Sequence, residues 1–313
     1  MRLEIIKLQR PFGERAKQFI LHNWRLYLLL LPGIIWLVVF CYLPMYGVTI
    51  AFKDFNAKLG IMGSHWAGLK YFRQFFTTNV ALVTMRNTIL LSTYSLLFGF
   101  PAPIIFALLL NQINRLRFKK FVQTISFAPH FISVVVLVSM LNIMLAPTSG
   151  FVNHFLKQTL GYEILFTTRP QYFRSLYIGS GIWQGMGFSA VVFIAALTGV
   201  SQEIHEAAIM DGANKVKRIL HIDLPSIIPT IIIMLILSIG NLFTIGYEKA
   251  YLMQVSMNTA VSEIISTYVY KIGLKNAQFS FAAAAGLFNS AANFALLVIA
   301  NVITRRYSEL SLF

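Results

Sequence analysis

The chain has 313 residues, of which 57% are hydrophobic and only 12% charged, and its mean hydropathy is +0.68. Soluble domains carry about 25% charged residues and could not cover this much apolar surface, so membrane spans replace soluble domains as the unit of organisation. The net charge of +15 sits in short segments between apolar runs, without the basic stripe and interleaved aromatics of a nucleic-acid binder.

The first apolar run, near 27–51, follows Arg2, Lys7, Arg10, Arg15, Lys17 and Arg25. A signal peptide has an apolar core of about 7 to 15 residues, and this run is longer, so it is expected to stay uncleaved. The preceding "RPFGERAKQFILHNWR" suits an amphipathic helix on the anionic inner leaflet. Further runs lie near 88–111, 121–146, 175–199, 226–246 and 280–303. Crossing a hydrocarbon core takes about 20 helical residues, so the expectation is an all-α integral membrane protein with six transmembrane helices. Pro32, Pro44, Gly99, Pro101, Pro103 and Pro129 predict kinks within the first three. The small residues of "AAAAGLFNSAA" in the sixth permit close helix approach.

Basic residues near span ends stay in the cytoplasm. The six N-terminal cations, Arg115, Arg117, Lys119 and Lys120, then Lys215, Lys217 and Arg218, and finally Arg305 and Arg306 fall on one set of connections. These are fifteen of the 26 Lys and Arg, and the remaining 11 are spread over longer alternate connections. Both termini are therefore expected in the cytoplasm. Residues 1–26 read as a cytoplasmic segment, 27–303 as the six-helix domain with a cytoplasmic loop at 200–225, and 304–313 as a cytoplasmic tail.

That loop reads "EAAIMDGANKVKRILHIDLP" from Glu206 to Pro225. Glu206, Ala207 and Ala208 begin a short amphipathic helix with small residues where another surface can come close. Gly212 permits a turn that a Cβ would disfavour. "KVKRILHIDLP" starts a second helix expected to stop before the membrane, so the two form a knob, and Pro225 and Pro229 fit the first turn of the next span. The pattern Glu-Ala-Ala, three residues, Gly, nine residues, Ile, one residue, Leu-Pro resembles the coupling-loop motif of permease subunits of bacterial ABC importers. Glu206, Ala207, Ala208, Gly212, Ile222, Leu224 and Pro225 fill its positions. Segments such as "RFKKFVQTISFAPHFIS" and "TYVYKIGL" extend the resemblance to maltose-type permeases that import complex oligosaccharides released from polysaccharides, over nearly the whole chain.

The resemblance implies a type I importer permease fold in a bacterial plasma membrane. It implies a second permease subunit, related but different, two cytoplasmic ATPase subunits, and an extracytoplasmic solute-binding protein that delivers an oligosaccharide. Glu206 would meet a basic residue of the ATPase, and ATP and Mg would be bound there. This chain has no G-x-x-x-x-G-K-[ST] phosphate loop, so no ATPase site and no cofactor of its own are expected.

An oligosaccharide pathway needs amide, hydroxyl and aromatic groups near the bilayer middle. Asn87, Tyr94, Trp183, Gln184, Asn241, Asn289 and Asn293 qualify by type, and each equally suits interhelical hydrogen bonding. Tyr247, Glu248, Lys249 and Tyr251 follow the fifth run, as an exposed charged loop or at the pathway mouth. Lys53, Lys58, Lys70 and Arg73, with Trp66, Tyr71 and Phe72, suit contact with a binding protein or with acidic sugars, or an interfacial aromatic belt. No Asp or Glu lies inside any of the six runs, the six histidines have no metal spacing and no acidic partner three or four residues away within a span, and the lone Cys41 is given no role. No catalytic or metal residue is therefore expected. A permease for another small solute, a membrane-embedded enzyme and a partner-binding scaffold are the competing readings. An enzyme needs clustered ionisable groups at membrane depth, and a scaffold has no use for the coupling pattern.

Overall fold

The computed structural model describes residues 22–307. The expectations for the basic N-terminal stretch and most of the C-terminal tail lie outside the described residues. Five helices are long and apolar enough to cross a membrane: Trp24–Phe52, Asn79–Asn111, Pro170–Thr198, Lys215–Gly240 and Phe279–Arg305. A sixth candidate is broken, with Leu116–Phe131 and Val134–Met144 meeting at 98°. In chain order these are spans 1, 2, 4, 5 and 6, with the broken pair as span 3. Apart from a two-residue ladder that pairs β1 (Lys53–Asp54) with β2 (His65–Trp66), regular structure among the described residues is helical.

Prolines accompany the π turns within the spans. π-helical turns at Val38–Tyr42, Ser95–Gly99 and Ile219–Asp223 each end two residues before a proline, Pro44, Pro101 and Pro225. A proline has no N–H for the carbonyl four residues back and its ring crowds that carbonyl, so a wider turn lets the helix continue. At Pro129 the helix fails instead. Span 3 was expected as one kinked helix over 121–146, and the structure corrects this to two arms joined by a 3₁₀ turn at Ala128–Phe131. Ser133 then caps the second arm, its hydroxyl accepting from the Val136 amide at 3.3 Å. Gln184 of span 4 donates to the freed Ile132 carbonyl at 2.7 Å.

Span 5 is the second correction. The helix expected to stop before the membrane does not stop: it runs from Lys215 to Gly240 without interruption, so Pro225 and Pro229 lie within it rather than in a first turn. The π turn at Ile219–Asp223 absorbs the proline that sequence alone reads as a boundary. Asp223, just before the run expected at 226–246, consequently lies inside the same continuous helix.

The bundle centres on spans 2 and 4, which pack together most extensively. Ile104, Ala107 and Leu108 of span 2, Ala190, Phe193 and Leu197 of span 4 and Ile227 of span 5 form its apolar core at the end bearing the 200–225 loop. Two glycines set helix approach: a Cβ at Gly187 would lie 2.1 Å from the Ser126 carbonyl oxygen, and one at Gly240 would lie 2.1 Å from Leu297 Cδ1. Span 1 differs, because none of its residues from Trp24 to Met45 is buried. Its 3₁₀ end, Tyr46–Phe52, packs on span 6.

At the opposite end the connection after span 5 folds onto span 2 through buried amides and hydroxyls. Asn87 donates to the Ala260 and Glu263 carbonyls at 2.9 and 3.1 Å, and Thr88 accepts from the Ile265 amide at 2.9 Å. Asn258, 1% exposed, donates to the Thr167 and Met253 carbonyls and accepts from the Val255 amide and the Ser262 hydroxyl.

Two outcomes follow. Gly187→Ala drives a methyl into backbone and is expected to lower the heat-unfolding midpoint of the purified protein, whereas Gly179→Ala, with nothing within 4 Å, leaves it unchanged or raises it. Asn258→Ala strands several buried partners and is expected to cost about 1–3 kcal/mol in the same measurement.

Candidate functional site: an exposed knob wired to a polar cavity

The knob begins at Ser201, whose hydroxyl accepts from the Glu203 amide at 3.2 Å and caps the helix Gln202–Met210. Glu206, Ala207 and Ala208 lie in the second half of this helix rather than at its start. Gly212 ends it in the left-handed region at φ +74°, and the Ala213 amide reaches back to the Ala208 carbonyl at 2.9 Å. A Cβ at Gly212 would meet no atom within 4 Å, so glycine is required there by backbone conformation alone. Asn214 caps the next helix, accepting from the Lys217 amide at 2.9 Å. Glu206 and Ala207 are exposed, and so are the apolar Ile204, Ile209 and Met210, the last at 87%. An apolar face of this kind beside a carboxylate is a surface shaped for a partner.

Ile222, Leu224 and Pro225 hold the base of the knob on span 5. Between them lies Asp223, wholly buried, which the sequence pattern leaves as a free position. It accepts from Gln112 Nε2 at 2.7 Å and Asn111 Nδ2 at 3.4 Å, both at the end of span 2, and pairs with His205 Nε2 at 3.2 Å. Lys119 Nζ extends the network to Asn111 Oδ1 at 3.3 Å. One carboxylate thus joins the knob, span 2 and span 5. Sequence reading missed it because His205 and Asp223 are far apart in the chain, and the available signal was an acidic residue among apolar neighbours in "ILHIDLP".

Spans 2, 4 and 5 enclose a cavity of about 400 Å³. Ser92, Ser95, Ser189, Ser238, Asn241 and Thr244 supply polar groups to its wall, and Tyr177 and Phe193 supply rings. A smaller cavity of about 180 Å³ adjoins it and shares Ser95, Gly99, Pro103, Tyr177 and Ser189. This pairing of hydroxyls with flat apolar faces suits a polyhydroxylated ligand.

The pathway candidates are distributed unevenly. Asn241 lies on the wall of the larger cavity. Trp183 faces a separate apolar cavity with Met140 and Met144. Tyr94 sits near Phe98, ring centroids 6.5 Å apart, on the surface of span 2. Gln184 and Asn87 hold backbone as described. Asn293 accepts from the Phe243 amide at 2.8 Å and donates to Thr244 Oγ1 at 2.9 Å, while Asn289 donates to the Phe243 carbonyl at 3.3 Å. The cavity hydroxyls went unread because Ser and Thr in helices bond to their own backbone and carry no periodic signal. Among the basic residues of the 52–87 connection, Lys53 donates to the Ile61 carbonyl at 2.7 Å, and Lys70 pairs with Asp54 at 2.8 Å. Hydrogen bonds from Lys70 and then Tyr71 hold the exposed Asp54 carboxyl below its usual range.

Comparison with known proteins agrees with this architecture. Residues 99–309 match the family described as binding-protein-dependent transport system inner membrane component. Protein LplB of Bacillus subtilis (strain 168) is 41% identical over 92% of this chain and 91% of its own length. The polygalacturonan/rhamnogalacturonan transport system permease protein YteP of the same organism is 42% identical over 91% of this chain and 88% of its own. Among solved structures, a bacterial ABC transporter involved in the import of the acidic polysaccharide alginate superposes with a TM-score of 0.87 at 37% identity, covering 93% of this chain and 99% of that one. The bacterial alginate ABC transporter in complex with alginate pentasaccharide-bound periplasmic protein gives 0.88 at 36%, covering 95% and 100%. The chain belongs to the binding-protein-dependent transport system inner membrane component family, as a membrane-spanning transport subunit.

Proposed function

We propose that this chain is one of two permease subunits that together enclose a pathway for oligosaccharides, driven by ATP hydrolysis on separate subunits. An extracytoplasmic binding protein delivers the sugar, a related but different permease completes the pathway, and two cytoplasmic ATPases bind ATP and Mg. In this reading the knob and both termini face the cytoplasm. The single observation that carries it is the continuity of span 5, whose helix begins beside the Gly212 turn and carries Met234 and Ser238 on the cavity wall.

That helix has 26 residues, about 39 Å at 1.5 Å each. Movement of the knob by a closing ATPase would therefore pass along one rod to the groups that face the sugar. Asp223 makes the transmission firm, because a buried carboxylate with three donors resists separation of the parts it joins. Glu206 offers charge to a basic residue of the ATPase cleft, Ala207 and Ala208 allow close approach, and Gly212 sets the angle of the knob. Ile222, Leu224 and Pro225 anchor it. The relative named for polygalacturonan/rhamnogalacturonan transport and the solved transporter named for alginate support a carbohydrate cargo, as do the hydroxyls of the cavity.

Glu206→Lys and Gly212→Val are expected to lower sugar uptake by about tenfold or more in vesicles containing the assembled transporter, as loss of a central interface contact does. The spans should still assemble, and ATP hydrolysis should lose its stimulation by loaded binding protein. Uptake at the wild-type rate in both variants would exclude the coupling role.

A further inference from the structure

Lys249 lies on the short helix Tyr247–Leu252, in a segment whose sequence suggests an exposed loop. It is instead only 8% exposed. Its ammonium donates to the Tyr177 carbonyl at 2.8 Å and stands 4.7 Å from the centroid of the Tyr177 ring. Among the described residues no Asp or Glu forms an ion pair with it. Withdrawing an ammonium from water without a counter-ion is costly. A carbonyl and a ring face offset part of that cost, and neither carries a full negative charge.

Gly181 connects this cation to the pathway. A Cβ there would stand 3.2 Å from Lys249 Nζ, and Gly181 lies on the wall of the smaller cavity beside Tyr177. Ile245 and Gly246, about one turn before Lys249, line the larger cavity. The ammonium therefore packs directly against Gly181, so that only this residue without a side chain separates it from the cavity wall. Its field reaches the cavity through low-dielectric protein, where attraction to an anion is stronger than in water.

We propose that Lys249 is a specificity-determining residue whose charge, acting across Gly181, draws sugar carboxylates to this cavity, and that the cargo is accordingly an oligosaccharide containing uronic acids. The inference rests on the oligosaccharide-import reading above. Burial lowers the Lys249 amine to about 8. Tyr177 faces it from span 4, with Arg174 one turn further along, and Tyr268 and Tyr270 lie on the Ile265–Tyr270 helix packed against its own helix, which also carries Tyr247, Glu248 and Tyr251. The Val134–Met144 arm, also packed there, has no titratable side chain. Because the folded value is depressed, the amine loses its charge as pH rises through about 8, while uronates with carboxyl values near about 4 stay ionised.

The test is equilibrium binding to the purified assembled transporter of a galacturonate trimer and of a galactose trimer with the same linkages. Wild type is expected to favour the acidic trimer by about tenfold or more at about pH 7 and to lose most of that preference by about pH 9. Lys249→Gln, which can still donate to the Tyr177 carbonyl, should bind the neutral trimer as wild type does and show no acid preference at either pH. Lys249→Arg should keep the preference at the higher pH. Equal wild-type binding of the two trimers, or acid preference surviving in Lys249→Gln, overturns the proposal. If Lys249→Gln does not assemble, the wild-type pH profile decides, a flat profile counting against Lys249. Failure of the wild-type transporter, supplied with binding protein and ATP, to take up any oligosaccharide would overturn the import reading itself, a result distinct from loss of acid preference alone.

Discussion

A hydrocarbon core offers no water to an unpaired amide or carbonyl, and each such group left open costs several kcal/mol. That constraint organises this chain. At Pro44, Pro101 and Pro225 the helix widens and continues. At Pro129 it breaks, and Gln184 from a neighbouring span supplies the donor that the break requires. Where span 5 ends, Asn289 and Asn293 of span 6 hold the backbone carbonyl and amide of Phe243. Much of the polar content of the spans thus repairs the backbone.

The same constraint decides what could be read in advance. The existence of the spans followed from composition, because about 20 apolar residues have few other fates. Their ends did not, since a proline marks a helix start, a kink or a π turn with the same letter. Pro225 looks like a boundary until the Ile219–Asp223 turn shows the helix passing through it. At the knob, Glu206, Ala207, Ala208 and Gly212 were legible as a local pattern whose spacing survives folding. Asp223 and His205 were not, because their pairing exists only after two helices meet. Lys249 likewise reads as a loop charge, and only packing against Tyr177 buries it. Amides singled out by residue type alone proved mostly to be bound to backbone, while the serines of the cavity wall were invisible to pattern.

Rigidity and openness are divided along the bundle. Where spans 2, 4 and 5 meet near the knob, Ala107, Ala190, Phe193 and Ile227 fill the space between them and Asp223 ties the ends together. Further along the same helices Ser95, Gly99, Gly185 and Ser189 stand among larger neighbours such as Phe100 and Tyr177 on the walls of the two cavities. Solid core and open cavity thus adjoin on the same three helices, and Phe193 belongs to both.

Span 1 stands apart from this division. Trp24–Phe52 has 29 residues, about 43 Å at 1.5 Å each, against a hydrocarbon thickness of about 30 Å. No buried contact fixes its course before its 3₁₀ end. Within this chain its course is accordingly not fixed by packing against the other helices, and its apolar faces are open to lipid or to a second subunit. Spanning the membrane and building the cavity are separable tasks in this chain: what lies against span 1 before Tyr46 can differ while the cavity walls of spans 2, 4 and 5 and the Asp223 network keep their contacts.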